Sequence, residues 1–296
     1  MRIGTRGSAL ALTQARQVAA LLGGGEIVQI TTGGDRGTGV ADKSRWVTEI
    51  EDALIAGEID IAVHSAKDLP CELPDGLELL GTPARASSQD VLCGAADIGA
   101  LPAGARVGTS SIRRAAQLRA AREEIEVVSV RGNVDTRLGR LADPSEGLSA
   151  IVLARAGLER LGLEAAAGGV LDPARFVPAP GQGAIAIEGR ARDGAARAAV
   201  DAVTDETAFA RLLCERECAR RLGADCHTPL GAHATASAAR LSLRAWVGLP
   251  DGSAWAADEL DGSDPAELGA AVAARLLAAG AGELLSRAQE MAAVGR

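Results

Sequence analysis

Cys226 stands in a polar turn, Gly223-Ala-Asp-Cys-His-Thr-Pro-Leu-Gly231, and ten arginines but no lysine lie between Arg106 and Arg160 in a chain of net charge -8. A thiol displayed in a turn can anchor a group covalently, and planar guanidinium forks hold carboxylates or phosphates in pairs. Together these features suggest a covalent anchor facing an anion-binding cleft. Lysine occurs only at Lys43 and Lys67, so Lys67 next to Asp68 departs from the habit of the chain. A carboxylate kept near cations stays ionised and can stabilise positive charge that develops on a substrate. His64, at the start of the same segment, reads as a hydrogen-bonded structural histidine.

Alternating strands and helices must place these groups. Arg2 to Thr5 reads as a strand, Ser8 as an N-cap, and Ala9 to Leu22 as a helix closed by Gly23 to Gly25. Glu26 to Thr32 is a strand, and a loop with Gly33, Gly34, Gly37 and Gly39 leads to a helix from about Ser44. Ile59 to Val63 is the next strand, which ends in His64-Ser-Ala-Lys-Asp68. A second series follows Pro102: strand Arg106 to Gly108, helix from Thr109-Ser-Ser111 to about Ala121, strand Ile125 to Val130, a helix after Arg131-Gly-Asn133, strand Ser149 to Leu153 and helix Arg155 to Leu161. Both series are β-α-β in character, which predicts two similar lobes with mostly parallel sheets.

Pro178-Ala-Pro-Gly-Gln-Gly183 cannot continue a regular element and reads as the crossing between lobes, after which Ala184 to Ile187 returns as a strand to the first lobe. The last third changes character. A helix spans Asp205 to Leu222, and strands Leu241 to Val247 and Ser253 to Leu260 flank the turn Pro250-Asp-Gly252. Asp264 as N-cap with Pro265 opens a helix that ends at Gly280.

Ligands of parallel α/β sheets collect beyond the carboxyl ends of the strands. His64 to Asp68, Thr109 to Arg114 and Arg131 to Arg137 fall at such ends. Thr109, Ser110 and Ser111 offer hydroxyls and free amides at a helix start, which suits an anion. Cations are disfavoured at that positive end of a helix, so Arg113 and Arg114 call for a compensating carboxylate or phosphate on a ligand. Arg131 and Arg137 are assigned to anion binding as well, whereas Arg119, Arg122 and Arg140 read as a solvated face.

Composition narrows the partners. With 47% hydrophobic and 24% charged residues the chain is globular, and its 296 residues predict two or three domains. A sequence pI near 5.1 argues against a nucleic-acid or anionic-membrane surface. No apolar run approaches the ~20 residues that span a bilayer. Arg2 and Arg6 precede an apolar stretch broken by Gln14, Arg16 and Gln17, a poor secretion signal. Five cysteines then point to reduced thiols in the cytoplasm, with Cys71, Cys93, Cys214 and Cys218 read as small buried residues. A zinc site from Cys214, Cys218, Cys226 and His227 is weighed against this, but the paired short C-x2-C spacing of common structural sites is missing. A two-lobed anion-binding protein without catalysis is the other alternative. It would explain the lobes and arginines but not a lone cysteine on a third domain.

Five segments, in order, resemble the porphobilinogen deaminase (hydroxymethylbilane synthase) family: His64-Ser-Ala-Lys-Asp68, Val107-Gly-Thr-Ser-Ser-Ile-Arg-Arg114, Arg131-Gly-Asn-Val-Asp-Thr-Arg137, Pro180-Gly-Gln-Gly-Ala184 and the Cys226 turn. The likeness runs nearly end to end, beginning with Arg2-Ile-Gly-Thr-Arg6. It implies two periplasmic-binding-protein-like lobes with mixed, mostly parallel sheets and a smaller C-terminal α/β domain. The expected division is residues 1–84 with 183–200, residues 85–182, and residues 201–296.

The resemblance also implies a transferase of heme biosynthesis that joins four porphobilinogen units head to tail, releasing ammonia, to give 1-hydroxymethylbilane. Growth would occur on a dipyrromethane cofactor held as a thioether by Cys226. Asp68 matches the catalytic aspartate, which stabilises a cationic azafulvene-like intermediate. Lys67, Ser111, Arg113, Arg114 and Arg131 match positions that bind the cofactor, and Arg6, Arg137 and Arg160 positions that bind substrate. No metal is implied, and the expected enzyme is a cytoplasmic monomer without nucleic-acid or membrane partners. The glycine-rich stretch from Gly33 to Gly39 with Lys43 matches a mobile active-site loop. Two departures stand out: Ala41-Asp42 where members carry glycines, and Gln89 where members carry arginine.

Overall fold

The computed structural model of the chain describes residues 1–36, 44–223, 228–238 and 240–294. Its first sheet is built from β1 (Arg2–Thr5), β2 (Glu26–Gln29), β3 (Ile61–Ser65) and β4 (Leu77–Gly81), with helices α1 (Ala9–Leu21) and α2 (Thr48–Ile55) in the crossovers. Ser8 caps α1 through its side chain, which accepts from the Ala11 amide, a contact worth ~1 kcal/mol. β1 runs parallel to both β2 and β3. Ile61 to Val63 is apolar on both faces, which suits a strand covered from both sides.

The second sheet contains β5 (Asp90–Cys93), β6 (Arg106–Gly108), β7 (Glu126–Val128) and β8 (Ala150–Ala154), in the order β5-β8-β6-β7. Between its strands run α3 (Ile112–Ala121) and α4 (Val134–Ala142), and α5 (Arg155–Leu161) follows β8. β6 pairs in parallel with β7 and β8, and β5 lies antiparallel on β8. After the proline-rich crossing the chain returns as β9 (Ile185–Arg190), which enters the first sheet antiparallel between β3 and β4. Both sheets are therefore mixed, each with an antiparallel strand contributed next to a crossing. Helix α6 (Gly194–Asp201) packs Ala196 and Val200 on this first sheet, beside Ile3, Val63 and Ile187.

The third unit opens with α7 (Glu206–Arg221), capped by the Asp205 carboxylate on the Ala208 amide. An antiparallel sheet follows, β10 (Leu230–Ser237), β11 (Arg240–Gly248) and β12 (Trp255–Gly262), and α8 (Pro265–Ala278) and α9 (Ala281–Val294) complete it. Cys214 and Cys218 on α7 are fully buried with Leu243, Val247, Val272 and Leu276. Cys93 is buried in the second lobe and Cys71 is half-buried. No single helix among the described residues is long and apolar enough to cross a membrane.

β4, β5, β10, α6 and α9 have no counterpart in the sequence pattern. β10 reads Leu-Gly-Ala-His-Ala-Thr-Ala-Ser; alanine alternates there with polar residues but is small and a poor strand former, so the pattern is faint, and pairing with β11 over eight positions supplies what local propensity lacks. β4 is short, sits at the sheet edge and slips register between Leu79 and Gly81.

Candidate active site

β3 is held on both flanks before it ends. His64 is hydrogen-bonded through Nε2 to Glu188 Oε2 of β9 at 3.0 Å, both side chains being buried. Ser65 Oγ donates to Gln14 Oε1 of α1 at 2.9 Å, and the Ala66 amide donates to the Ala184 carbonyl at 3.1 Å. The chain then makes one tight helical turn over Ala66–Asp68 and delivers Lys67 half-buried and Asp68 exposed. His64 is thus the structural histidine the sequence indicated.

Charges from the second lobe reach this turn. Burial pulls the Lys67 ammonium down to about 8, with Asp68 and Asp90 raising it and Arg114 and Arg113 lowering it. Burial also lowers Arg137, which feels Arg114 as a like charge and Asp68 as an opposite one. Lys67, Asp68, Arg113, Arg114 and Arg137 therefore share one electrostatic neighbourhood between the carboxyl ends of the two sheets. Arg137 is steadied by donating from Nε to the Gly132 carbonyl at 2.7 Å.

At the start of α3, the Ser111 side chain accepts from the Arg114 amide and Thr109 Oγ1 accepts from the Ser111 amide. Ser111 is accordingly the N-cap. The charge of Arg113 and Arg114 is compensated differently from the sequence expectation: the carboxylate they require belongs to the chain itself. Asp90 Oδ2 accepts from Arg113 Nη2 at 2.8 Å, and Oδ1 accepts from Arg114 Nε at 3.0 Å and Nη2 at 2.7 Å. Arg113 Nη1 also donates to the Val177 carbonyl and Arg114 Nη1 to that of Val152. All three side chains are buried, so an unpaired charge here would cost several kcal/mol. Arg113 Nε nevertheless has no partner among the described residues.

The remaining assigned residues are spread around this centre. Arg6 pairs with Asp35 and lies 4.0 Å above the Trp46 ring centroid. Gly34 has to be glycine there, because a Cβ would collide with that ring. Arg160 donates from Nη2 to the Gly183 carbonyl at 2.8 Å, burial pulls it down to about 10, and its Nε is buried without a partner among the described residues. Arg131 is exposed at the head of its segment. Cys226, His227, Lys43 and Ala41-Asp42 lie outside the described residues. Gln89 accepts from Arg155 Nη1 at 3.3 Å.

Arg119 and Arg122 are not a solvated face, whereas Arg140 stays at the partly exposed surface as expected. Arg119 donates to the carbonyls of Pro250 and Val127, which joins α3 to the β11-β12 hairpin. Arg122 donates to three carbonyls of the 98–101 turn, and Arg140 forks onto Glu146. Carbonyl oxygens absorb guanidinium donors that composition alone assigns to water.

The sequence reading also overlooked Asp90, Arg85, Gln182 and Glu215. Gln182 Nε2 donates to Asp90 Oδ1 at 2.8 Å and to the Ser88 carbonyl at 2.6 Å. Arg85 donates to the Gln182 carbonyl from Nε and Nη2 and forks onto Glu215 at 2.7 and 3.0 Å. Glu215 also accepts from the amides of Gly181 and Ala234. Gly181 has φ +74°, and a Cβ there would stand 2.9 Å from that of Ala66, so the crossing can pass close to the Lys67–Asp68 turn only as glycine. A lone acid opening an apolar strand, Asp90-Val-Leu-Cys93, was the available signal for the buried carboxylate.

The family model described as porphobilinogen deaminase, dipyromethane cofactor binding domain, matches residues 1–198, and that described as porphobilinogen deaminase, C-terminal domain, matches residues 209–278. The porphobilinogen deaminase of Deinococcus radiodurans is 43% identical, covering 97% of this chain and 98% of the relative. That of Syntrophus aciditrophicus is 40% identical, covering 98% and 99%. Among solved structures, the methionine binding protein MetQ aligns with a TM-score of 0.42 and 14% identity, over 70% of this chain and 90% of that one.

Proposed function

The chain belongs to the porphobilinogen deaminase family, and we propose from that premise that Asp68 is the catalytic carboxylate, with Lys67, Arg113, Arg114 and Arg137 holding the carboxylates of the reacting pyrroles around it. The enzyme joins four porphobilinogen molecules head to tail, releasing four ammonia molecules and taking up one water, which becomes the hydroxyl of 1-hydroxymethylbilane. The observation that carries the site reading is the meeting of the Lys67–Asp68 turn with Arg114 and Arg137 across the two lobes.

In each cycle the aminomethyl C–N bond of a porphobilinogen breaks and ammonia leaves. The methylene carbon bonds to the free α-carbon of the pyrrole already held, whose proton then departs. Positive charge gathers on the incoming pyrrole as ammonia leaves. An exposed carboxylate at Asp68 stabilises it, an effect typically worth ~2.7–4 kcal/mol for a well-placed group. Each pyrrole brings two carboxylates, so guanidinium donors are needed in number, at ~1.5–3 kcal/mol for each charge-assisted hydrogen bond.

The cofactor is a dipyrromethane, which supplies the nucleophilic pyrrole carbon for the first addition. The donor set fits it: Arg113 Nε is a buried donor without a partner among the described residues, and an acceptor-rich group would satisfy it. Cys226 is the proposed thioether anchor, Ser111 and Arg131 add to its carboxylate sites, and Arg6 and Arg160 serve the substrate. We place the enzyme in the cytoplasm as a monomer that needs no nucleic acid or membrane. Its acidic balance supports the part of that reading that excludes nucleic acid and an anionic membrane.

Intact masses of the purified wild-type chain and of Cys226→Ser test the anchor. The wild type should exceed its sequence mass by two linked pyrrole units and the variant should not. An unmodified wild type after incubation with porphobilinogen would remove Cys226 from its role.

A further inference from the structure

An unbroken run of buried hydrogen bonds leads from the third unit to the arginine pair. Glu215 of α7 holds Arg85 at 2.7 Å, and Arg85 holds the Gln182 carbonyl at 2.8 Å. Gln182 holds Asp90 at 2.8 Å, and Asp90 holds Arg113 at 2.8 Å and Arg114 at 2.7 Å. Arg85 lies on the outward passage between the lobes and Gln182 on the return passage, so both crossings are tied to each other and to α7. That helix ends five residues before Cys226.

We propose that Asp90 is a positioning residue of the deaminase: through Gln182, Arg85 and Glu215 it sets where the guanidinium forks of Arg113 and Arg114 stand relative to the third unit. The proposal rests on the anion-binding role given above to that arginine pair. Two adjacent buried guanidinium groups repel each other, and Asp90 is the side chain that accepts from both. It does so without exhausting Arg113, whose Nε is unpartnered among the described residues. Burial raises the Asp90 carboxyl, but Arg113, Arg114 and the Gln182 amide outweigh it and hold it well below the usual carboxylate range. Asp90 thus stays charged throughout the working pH range. It is also one of the two carboxylates, with Asp68, that support the Lys67 ammonium against Arg114 and Arg113.

The test uses cofactor-loaded enzyme, with loading checked by intact mass, and compares Asp90→Asn, Arg113→Gln and the double variant for kcat and KM between pH 6 and 9. Asp90→Asn should raise KM by roughly ten- to hundredfold, the size of one or two charge-assisted contacts. It should also move the alkaline fall of kcat/KM to lower pH, because Lys67 loses one of its supporting carboxylates; a purely structural defect would not move that limb. The double variant should cost less than the two single losses combined. Wild-type KM and an unmoved pH profile in Asp90→Asn, with Arg113→Gln impaired, would overturn the proposal alone. An unimpaired Arg113→Gln would overturn the site reading beneath it. If Asp90→Asn does not fold or load, Gln182→Met keeps the charge and removes one donor. It should raise KM by roughly two- to tenfold with the pH profile unchanged, and an unchanged KM there refutes the wiring.

Discussion

The two lobes present charge to the cleft in opposite ways. Asp68, at the end of β3, is exposed on a single helical turn, whereas Arg113 and Arg114, facing it from α3, are sunk in the second lobe on Asp90. In the role proposed for it, Asp68 answers charge developing on a substrate and is open to that substrate. Arg113 and Arg114, proposed to hold anions, are charged and oriented in advance, with their own counter-ion built in. The same contrast separates Arg113 from Arg137, whose guanidinium is anchored among the described residues through Nε to a backbone carbonyl.

Breaking a compensated pair is where the largest loss should appear. Glu215→Ala would leave Arg85 buried without its carboxylate and free the amides of Gly181 and Ala234, so unfolding free energy should fall by about 3–5 kcal/mol in urea titration. A loss under 1 kcal/mol would mean that the crossings do not depend on this clamp.

A buried acid without a counter-ion sharpens the contrast. Glu51 has no cationic partner among the described residues, and burial, then Glu188 and Asp52, push it up from 4.5 to about 7. Its folded value lies above its unfolded one, so the stability linked to its proton is present below about pH 4.5 and is lost as pH rises through 7. Wild type minus Glu51→Gln, measured by denaturant unfolding at pH 5 and pH 8, should therefore change by up to about 3 kcal/mol against the wild type at the higher pH. A difference independent of pH would show that Glu51 ionises freely.

Lys67 falls between the two cases, partly buried and partly supported. Its ammonium is lowered to about 8, so KM for porphobilinogen should rise by roughly tenfold as pH passes from 7 to 9 with the loss of one charge-assisted contact. Lys67→Arg keeps its charge and should flatten that rise. A rise of equal size in Lys67→Arg would assign it to another group.

Local chemistry was readable from the chain wherever it was self-contained. Ser8 and Asp264 cap the helices assigned to them, because a capping bond closes within three residues, and Ser111 and Asp205, read only as openings of their helices, cap them as well. The β3 end, the α3 start and the return of β9 to the first sheet follow the sequence expectation for the same reason of short-range pattern. What the sequence could not display was compensation across the fold. Asp90 meets Arg113 and Arg114 23 and 24 residues away, and Arg85 meets Glu215 at a separation of 130. The arginines announced that an anion was needed and gave no sign that the chain contained it. Arg119 and Arg122 were misread through the same gap, since their acceptors are backbone carbonyls that no side-chain pattern records.

The division of labour between the lobes is tested most directly by kcat and KM of Asp68→Asn and Arg113→Gln, measured side by side on enzyme of verified cofactor mass. Asp68→Asn should lose roughly 10²–10³ in kcat with KM within about threefold of wild type, and Arg113→Gln should raise KM with most of kcat retained. An Asp68→Asn enzyme that keeps its kcat and loses only affinity would contradict a carboxylate acting on developing charge.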